Sequence, residues 1–537
     1  LQDSAAALVG LELLDFGTLD IRMRLLEDRF SGPLRILDSK IQLPGGKPVG
    51  LKLLADGWSE DDGSEAQLIL SALQLASPGD QLEVLDALVN WSGETGAVLR
   101  VPEVRVDDVT ALVGQMLSPE IPTAMWIERL GMTGRFTRLL ASWSKDAGLG
   151  FGGDFDTVAM RSFRGVPEVD RLEGSFTGGT GYLQLRLLDS LATVGFPQLY
   201  REARSYESVS GELLMYFGQD YFGLEGSKLR FTDAAMTTVG SFSLVSTKPL
   251  TNNHVTLALS SNAGDFSDLA PYVPYKLPQN VLDWLAASGL EAKLEAPRFV
   301  MHGPLREEES DMDRSYLLEA DMRDGAMFFN SEWPRITDAD GRVKVSHTSI
   351  NAELTDAKLG GLALEDMVVR LPEGSASVAA TGTAIFDAAA GLNFIRTTPL
   401  KTSMDFVADD WWAEGQMRLA IDLDLPLDEI ETGELDPRVS VDIEGQLQNT
   451  TFGLPEAGLT FTSLNGPLTY SYPYALGGKN ISGRLFGRQM KLDLKSVPIG
   501  SPPAGRPESF AASRIDFSMN GAMHSDDMWP LLNMEPS

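Results

Sequence analysis

The chain contains no cysteine in 537 residues. That excludes disulfides and thiolate metal sites, and it leaves the compartment open. Histidine is almost as scarce. His254, His302, His347 and His524 stand far apart and form no ligand pair at helical or strand spacing, so no metal site is expected. No apolar run reaches the roughly eighteen residues that a membrane-spanning helix needs. Positive charge is in deficit, with 44 Lys and Arg against 76 Asp and Glu, a net charge of -32. Such a surface repels phosphate backbones, so no nucleic-acid partner is expected; the plain reading of the acidity is solubility. No signal peptide is visible and the first residue is Leu1, so the chain reads as an excerpt or a processed product.

Catalytic patterns are missing too. There is no G-x-S-x-G elbow for an acyl-transfer nucleophile. The Gly-rich Thr177 to Gly181 lacks the Lys and Ser/Thr of a phosphate loop and reads as a turn. Asp338-Ala-Asp-Gly341 has the opening of a calcium loop, but Ser349 stands where the closing glutamate belongs; a hairpin turn is expected there. The acidic clusters Glu60-Asp-Asp62, Glu307-Glu-Glu309 and Asp428-Glu-Ile-Glu431 read as solvated loops, not as a glycosidase pair. Trp411-Trp412, between Asp409-Asp410 and Gly415, reads as a sheet edge or rim more than as a sugar platform. No enzyme activity and no cofactor are expected.

What the chain does have is alternation. Met417 to Leu427 reads Met-Arg-Leu-Ala-Ile-Asp-Leu-Asp-Leu-Pro-Leu, apolar at every odd position. In a strand, successive side chains point to opposite faces, so this segment has one apolar and one polar face. Val439 to Leu447, Ile515 to Met523, Tyr316 to Met322 and Leu19 to Leu25 repeat the pattern. Turn signals such as Leu43-Pro-Gly-Gly-Lys47 and Ser77-Pro-Gly-Asp80 separate the strands. Helices are few: Asp107 to Leu117 and Gln279 to Leu290, the latter with Val281, Leu282 and Leu285 at helical spacing beside Trp284, and a possible start near Met528. A Gly/Lys/Thr-Pro-Leu element recurs at Ser31 to Leu34, Thr247 to Leu250, His302 to Leu305, Thr397 to Leu400 and Asn465 to Leu468. Proline cannot donate to a sheet ladder, so the element is expected at strand starts, edges or passages between multi-strand units.

Two stretches carry a family resemblance. One is Gly165-Val-Pro-Glu-Val-Asp-Arg-Leu-Glu-Gly-Ser-Phe176. The other runs from Leu277-Pro-Gln-Asn-Val-Leu-Asp-Trp-Leu285 through His302-Gly-Pro-Leu305, Phe328-Phe-Asn-Ser-Glu-Trp-Pro-Arg-Ile336 and Asp340-Gly-Arg-Val343 to Thr398-Pro-Leu400. The chain resembles the YhdP proteins of the AsmA-like group, which also includes TamB. The likeness covers most of the chain and is weakest before Gly134. It implies a mainly β fold, a long curled antiparallel sheet (a β-taco, or repeating β-groove) with a few short helices. It also implies a periplasmic place with an inner-membrane anchor outside this stretch, and phospholipid carried between inner and outer membranes. Inner- or outer-membrane proteins would be the other partners.

The expected organisation is an N-terminal β-rich portion over 1–133, central groove units over 134–305 with the short helix near 279–290, and further units over 306–537. At about 4.8 Å per strand, roughly forty strands would extend on the order of 190 Å. Candidate lipid-lining residues are Tyr316, Leu318, Met322, Met327, Phe329, Met417, Leu419, Ile421, Leu423, Val439, Val441, Ile443, Ile515, Phe517 and Met519. Two other classes stay open: an outer-membrane protein assembly or translocation factor like TamB, and a structural or adhesive β-repeat protein whose apolar face is an ordinary two-sheet core.

Overall fold

The computed structural model describes residues 12–15, 17–42, 46–77, 79–94, 96–116, 129–145, 148–163, 167–195, 197, 202–217, 221–247, 252–262, 264–269, 286–304, 315–329, 332–346, 349–372, 375, 377–404, 407–426, 437–502, 506–511, 513–522 and 524. Among them, thirty strands belong to an antiparallel sheet that no described pairing closes, with few short helices. The fold class is thus the expected one. Among the described residues the strands number thirty, and single strands are long: Trp412–Pro426 and Ser440–Leu454 have 15 residues each.

The chain divides into two units. The first comprises Leu1–Ser261, Pro271–Lys276 and Val300–Arg314; the second comprises Asn262–Ala270, Leu277–Phe299 and Ser315–Ser537. In the first, the alternating stretch Leu19 to Leu25 does not form one strand. It makes two short ones, Thr18–Ile21 and Arg24–Leu26, both paired with Arg29–Gln42. The Arg22 N–H reaches Pro33 O (3.1 Å) in the break between them. The helix Val106–Met116 matches the expected Asp107–Leu117. Leu112 and Val109 on this helix pack with Val49, Leu70, Leu82 and Val101 of the sheet. Of the expected helix at 279–290, residues 286–288 are helical and 279–285 lie outside the described residues, as does the start near Met528.

In the second unit a helix that the alternation gave no hint of, Ala388–Thr397, lies between the strands Ser377–Asp387 and Trp412–Pro426. Asp387 caps it, its carboxylate accepting from the Ala389 N–H at 2.9 Å. At the other end Arg396 donates to the carbonyls of Ala408 and Trp411, both at 2.7 Å. Thr397-Thr-Pro-Leu400 therefore ends a helix and does not mark a passage between strand units. Pro399 can neither donate to nor continue the helix, and a second short one, Leu400–Ser403, starts after it.

Two of the other proline elements need the same correction. Ser31 to Leu34 and Asn465 to Leu468 lie inside the strands Arg29–Gln42 and Leu459–Ser471. Pro467 falls where the ladder to Ala475–Leu485 is interrupted, between the pairs Asn465↔Ser482 and Thr469↔Gly477, so its missing N–H costs no ladder bond. Gly466 beside it takes φ 152°, and a Cβ there would lie 2.8 Å from the Ile481 Cα. His302 to Pro304 closes the strand Glu291–Pro304, while Leu305 and Lys248 to Leu250 lie outside the described residues.

Bulges decide which residues share a face. Asp324, Asp338, Asn449, Ser463 and Asn480 all take φ near 50°, each at or beside a register shift. A bulge adds one residue and so switches which parity faces inward. Asp338 to Gly341 is thus a bulge inside the strand Ile336–Ser346, not the expected hairpin turn. Polar side chains on the next strand hold the bulges. Asp340 accepts from the Asp324 N–H (3.0 Å), Asn465 from that of Asn449 (2.9 Å) and Asp493 from that of Asn480 (2.6 Å).

Candidate functional site: apolar rows across the strands

Residues directly opposite in an antiparallel ladder share a face, so the register can be followed from strand to strand. In the first unit one such path runs Gly57–Leu68–Val89–Leu99–Ala141–Phe151–Gly178–Leu183–Met215–Leu224–Leu244–Val255. It crosses twelve strands without a polar side chain. With neighbours about 4.8 Å apart, the row extends on the order of 50 Å.

The second unit has its own rows. One is Ala320–Val343–Ala352–Val369–Ala380–Leu423–Val441, over seven strands. Beside it run Leu318–Val345–Ile350–Leu371 on one side and Gly382–Ile421–Ile443–Tyr470–Leu476 on the other. Next comes Ala357–Leu364–Ala384–Leu419–Gly445–Leu468. Small residues are interspersed in the rows through Ala320 and Ala357, whereas the row through Leu318 is large at every step.

The opposite face repeats the geometry mostly in polar residues: Asp321–Arg342–Glu353–Val368–Thr381–Asp422–Asp442–Ser471. Arg342 pairs with Asp321 at 2.7 Å, and this hydrogen bond holds the Asp321 carboxyl below the usual carboxylate range. Ser471 donates to Asp442 at 2.5 Å. The faces differ in chemistry along most of these rows, with Val368 the apolar exception in the polar one.

A family model described as "YhdP protein" matches residues 52–511. The chain belongs to the YhdP family. The match takes in the full length of the rows traced from Gly57 to Val255 and from Ala320 to Val441, and it extends well before Gly134, where the resemblance is weakest. No curated protein and no solved structure matches the chain.

The residues singled out from sequence fall on this apolar face in distinct settings. Tyr316, Leu318 and Met322 precede the Asp324 bulge, and Met327 follows it with switched parity, opposite Ile336. Met417, Leu419, Ile421 and Leu423 share the face of Val441 and Ile443, and Val439 lies just ahead of that strand. Met519, Phe517 and Ile515 oppose Leu492, Leu494 and Ser496. Phe329 is in an aromatic cluster instead, its ring centre 5.7 Å from that of Trp333, which is 6.0 Å from that of Phe394.

Exposure divides them. Leu318 is 40% exposed, Ile350 44% and Phe517 48%, whereas Ala384 is 0% exposed. Met417, Leu419 and Ile421 pack against the closed cluster that holds Phe386 and Phe394. The residues that sequence reasoning missed are those of this cover, Phe394 and Trp333. Asp387 before three alanines was the available signal, an N-cap ahead of good helix formers. Trp411 stacks edge-on against Phe452 at 5.4 Å, so it is packed, not a free sugar platform.

Among the described residues no group of three or more His, Cys, Asp or Glu side chains could hold a metal ion. Among them, too, no helix is long and apolar enough to cross a membrane. Of the acidic clusters, Glu60 to Asp62 ends a strand and enters a turn, while Glu307 to Glu309 and Asp428 to Glu431 lie outside the described residues.

Proposed function

We propose that this chain is part of a periplasmic bridge that carries phospholipid between the inner and outer membranes, anchored in the inner membrane by a segment outside this stretch. The supporting observation is the twelve-strand row from Gly57 to Val255, apolar at every step. Membership of the YhdP family is consistent with it. Acyl chains covering such rows would remove their surface from water, worth about 25 cal/mol per Å². Because successive row positions are all apolar, a chain sliding by one strand exchanges one apolar contact for another. The head group would stay in water. No covalent step is involved.

The test is photo-crosslinking in cells with a benzophenone residue at Leu318 or Leu423, against controls at Arg342 and Asp422 on the opposite face. Phospholipid adducts are expected at the first two positions only. Adducts at all four would remove the facial distinction, and adducts to outer-membrane proteins in place of lipid would favour an assembly factor.

A further inference from the structure

The second unit does not offer its whole apolar face. The helix Ala388–Thr397 lies over the row through Leu364, Ala384 and Leu419, and Phe394 is buried among them. This cover is built to stay. Asp387 caps the helix, Arg396 fastens its last turn to two carbonyls, and Gly391 lets the Phe386 ring pass close beneath. Small residues under it, Ala339, Ala357 and Ala384, bring helix and sheet close together. Farther back along the same strands, Leu318 and Ile350 stand substantially exposed.

We infer that the helix Ala388–Thr397 is a fence. Acyl chains cross the second unit only over the rows through Leu318, Ile350 and Leu423, and are kept off the row through Leu364 and Ala384. The inference rests on the lipid reading above. What favours hydrocarbon over a peptide on the open strip is that the strands there pair on both sides. Their backbone N–H and C=O groups are spent in the ladders, and the row side chains have no donor or acceptor. A peptide would have to leave its own polar backbone unpaired on such a surface, whereas an acyl chain has none.

The experiment uses the unmodified chain. A phosphatidylethanolamine with a diazirine near the end of one acyl chain is placed in phosphatidylethanolamine–phosphatidylglycerol vesicles, incubated with the purified protein and irradiated, and adducts are located by fragment mass spectrometry. Labelling is expected at Leu318, Ile350 and Leu423 and is expected to be absent at Leu364 and Ala384. Labelling of comparable strength at both sets overturns the fence and leaves the lipid reading standing. No adduct anywhere on the chain overturns both.

Discussion

Four residues apart on one strand, Leu419 and Leu423 occupy different environments. Leu419 faces the helix Ala388–Thr397 and packs with a cluster that includes Leu364, Ala384 and Phe386. Leu423 lies between Ala380 and Val441 in a row whose neighbour contains the exposed Leu318 and Ile350. The side chains, strand and face are the same and both leucines are half-buried, but Leu419 packs on the helix-covered cluster whereas Leu423 borders the row of Leu318 and Ile350. An apolar stripe thus does two jobs. Under the helix it supplies the packing that holds the unit together, and beyond the helix it is the surface a hydrocarbon ligand would use. Among the described residues, the element that lies over these strands is a helix, and it covers part of their length.

The sharpest way to break this comparison is a charge on each side of it. Leu364→Glu places a carboxylate under the helix with no partner, at a cost of several kcal/mol. The second unit should unfold, or lose most of its stability in urea denaturation followed by circular dichroism. Leu423→Glu can turn its carboxylate towards water, so near-normal circular dichroism is expected together with failure to support lipid passage in cells, because the apolar track is interrupted. Equal destabilisation by both would mean that the open rows are an ordinary core after all.

A smaller effect comes from emptying the cover without adding charge. Phe394→Ala should cost about 3–5 kcal/mol through lost burial and the cavity between Trp333 and Phe386. Loss of tryptophan fluorescence change at Trp333 ahead of the global transition would show that the helix leaves first. Asp387→Ala removes only the cap bond to Ala389 and should cost about 1 kcal/mol. A cost for it as large as that for Phe394→Ala would mean that the cap, not the packing, fastens the helix.

The two helices that cover apolar face show what the sequence reveals and what it hides. Val106–Met116 begins at Asp107-Asp108 and carries Val109 and Leu112 at helical spacing, so its period differs from that of the strands before it. Ala388–Thr397 follows without a break from a strand ending in Asp387, and its Ala-Ala-Ala-Gly opening has little apolar periodicity; Gly391 lowers its helix propensity further. The strand faces were legible because alternation is local. The switches of parity at Asp324 and Asn449 were legible only in part. Met327 opposes Ile336 after the bulge, but a polar residue in a bulge looks like any polar residue on an outer face. Phe329 was placed on the face by parity, though its position is set by Trp333, a contact that no local pattern contains.

The smallest expected effect lies on the polar face and serves as the control. Asp321 receives a hydrogen bond from Arg342 at 2.7 Å, and with that the largest cause, its carboxyl titrates below its ordinary value of 3.8. A carboxyl depressed in the folded state stabilises the fold above its unfolded value, and that contribution is lost as pH falls through the folded value. The pair is exposed, so Asp321→Asn should lower stability by less than about 1 kcal/mol at neutral pH. The difference between the two proteins should narrow as pH falls below the unfolded carboxylate range and close once Asp321 is protonated in both states. Added salt at neutral pH should shrink it as well, since an exposed pair is screened. Phospholipid labelling at Leu318 should not change at any pH where the fold persists, because Asp321 points away from the apolar row. If Asp321→Asn altered the labelling while leaving stability intact, the two faces would not be independent, and a lipid path confined to one side of the sheet would have to be given up.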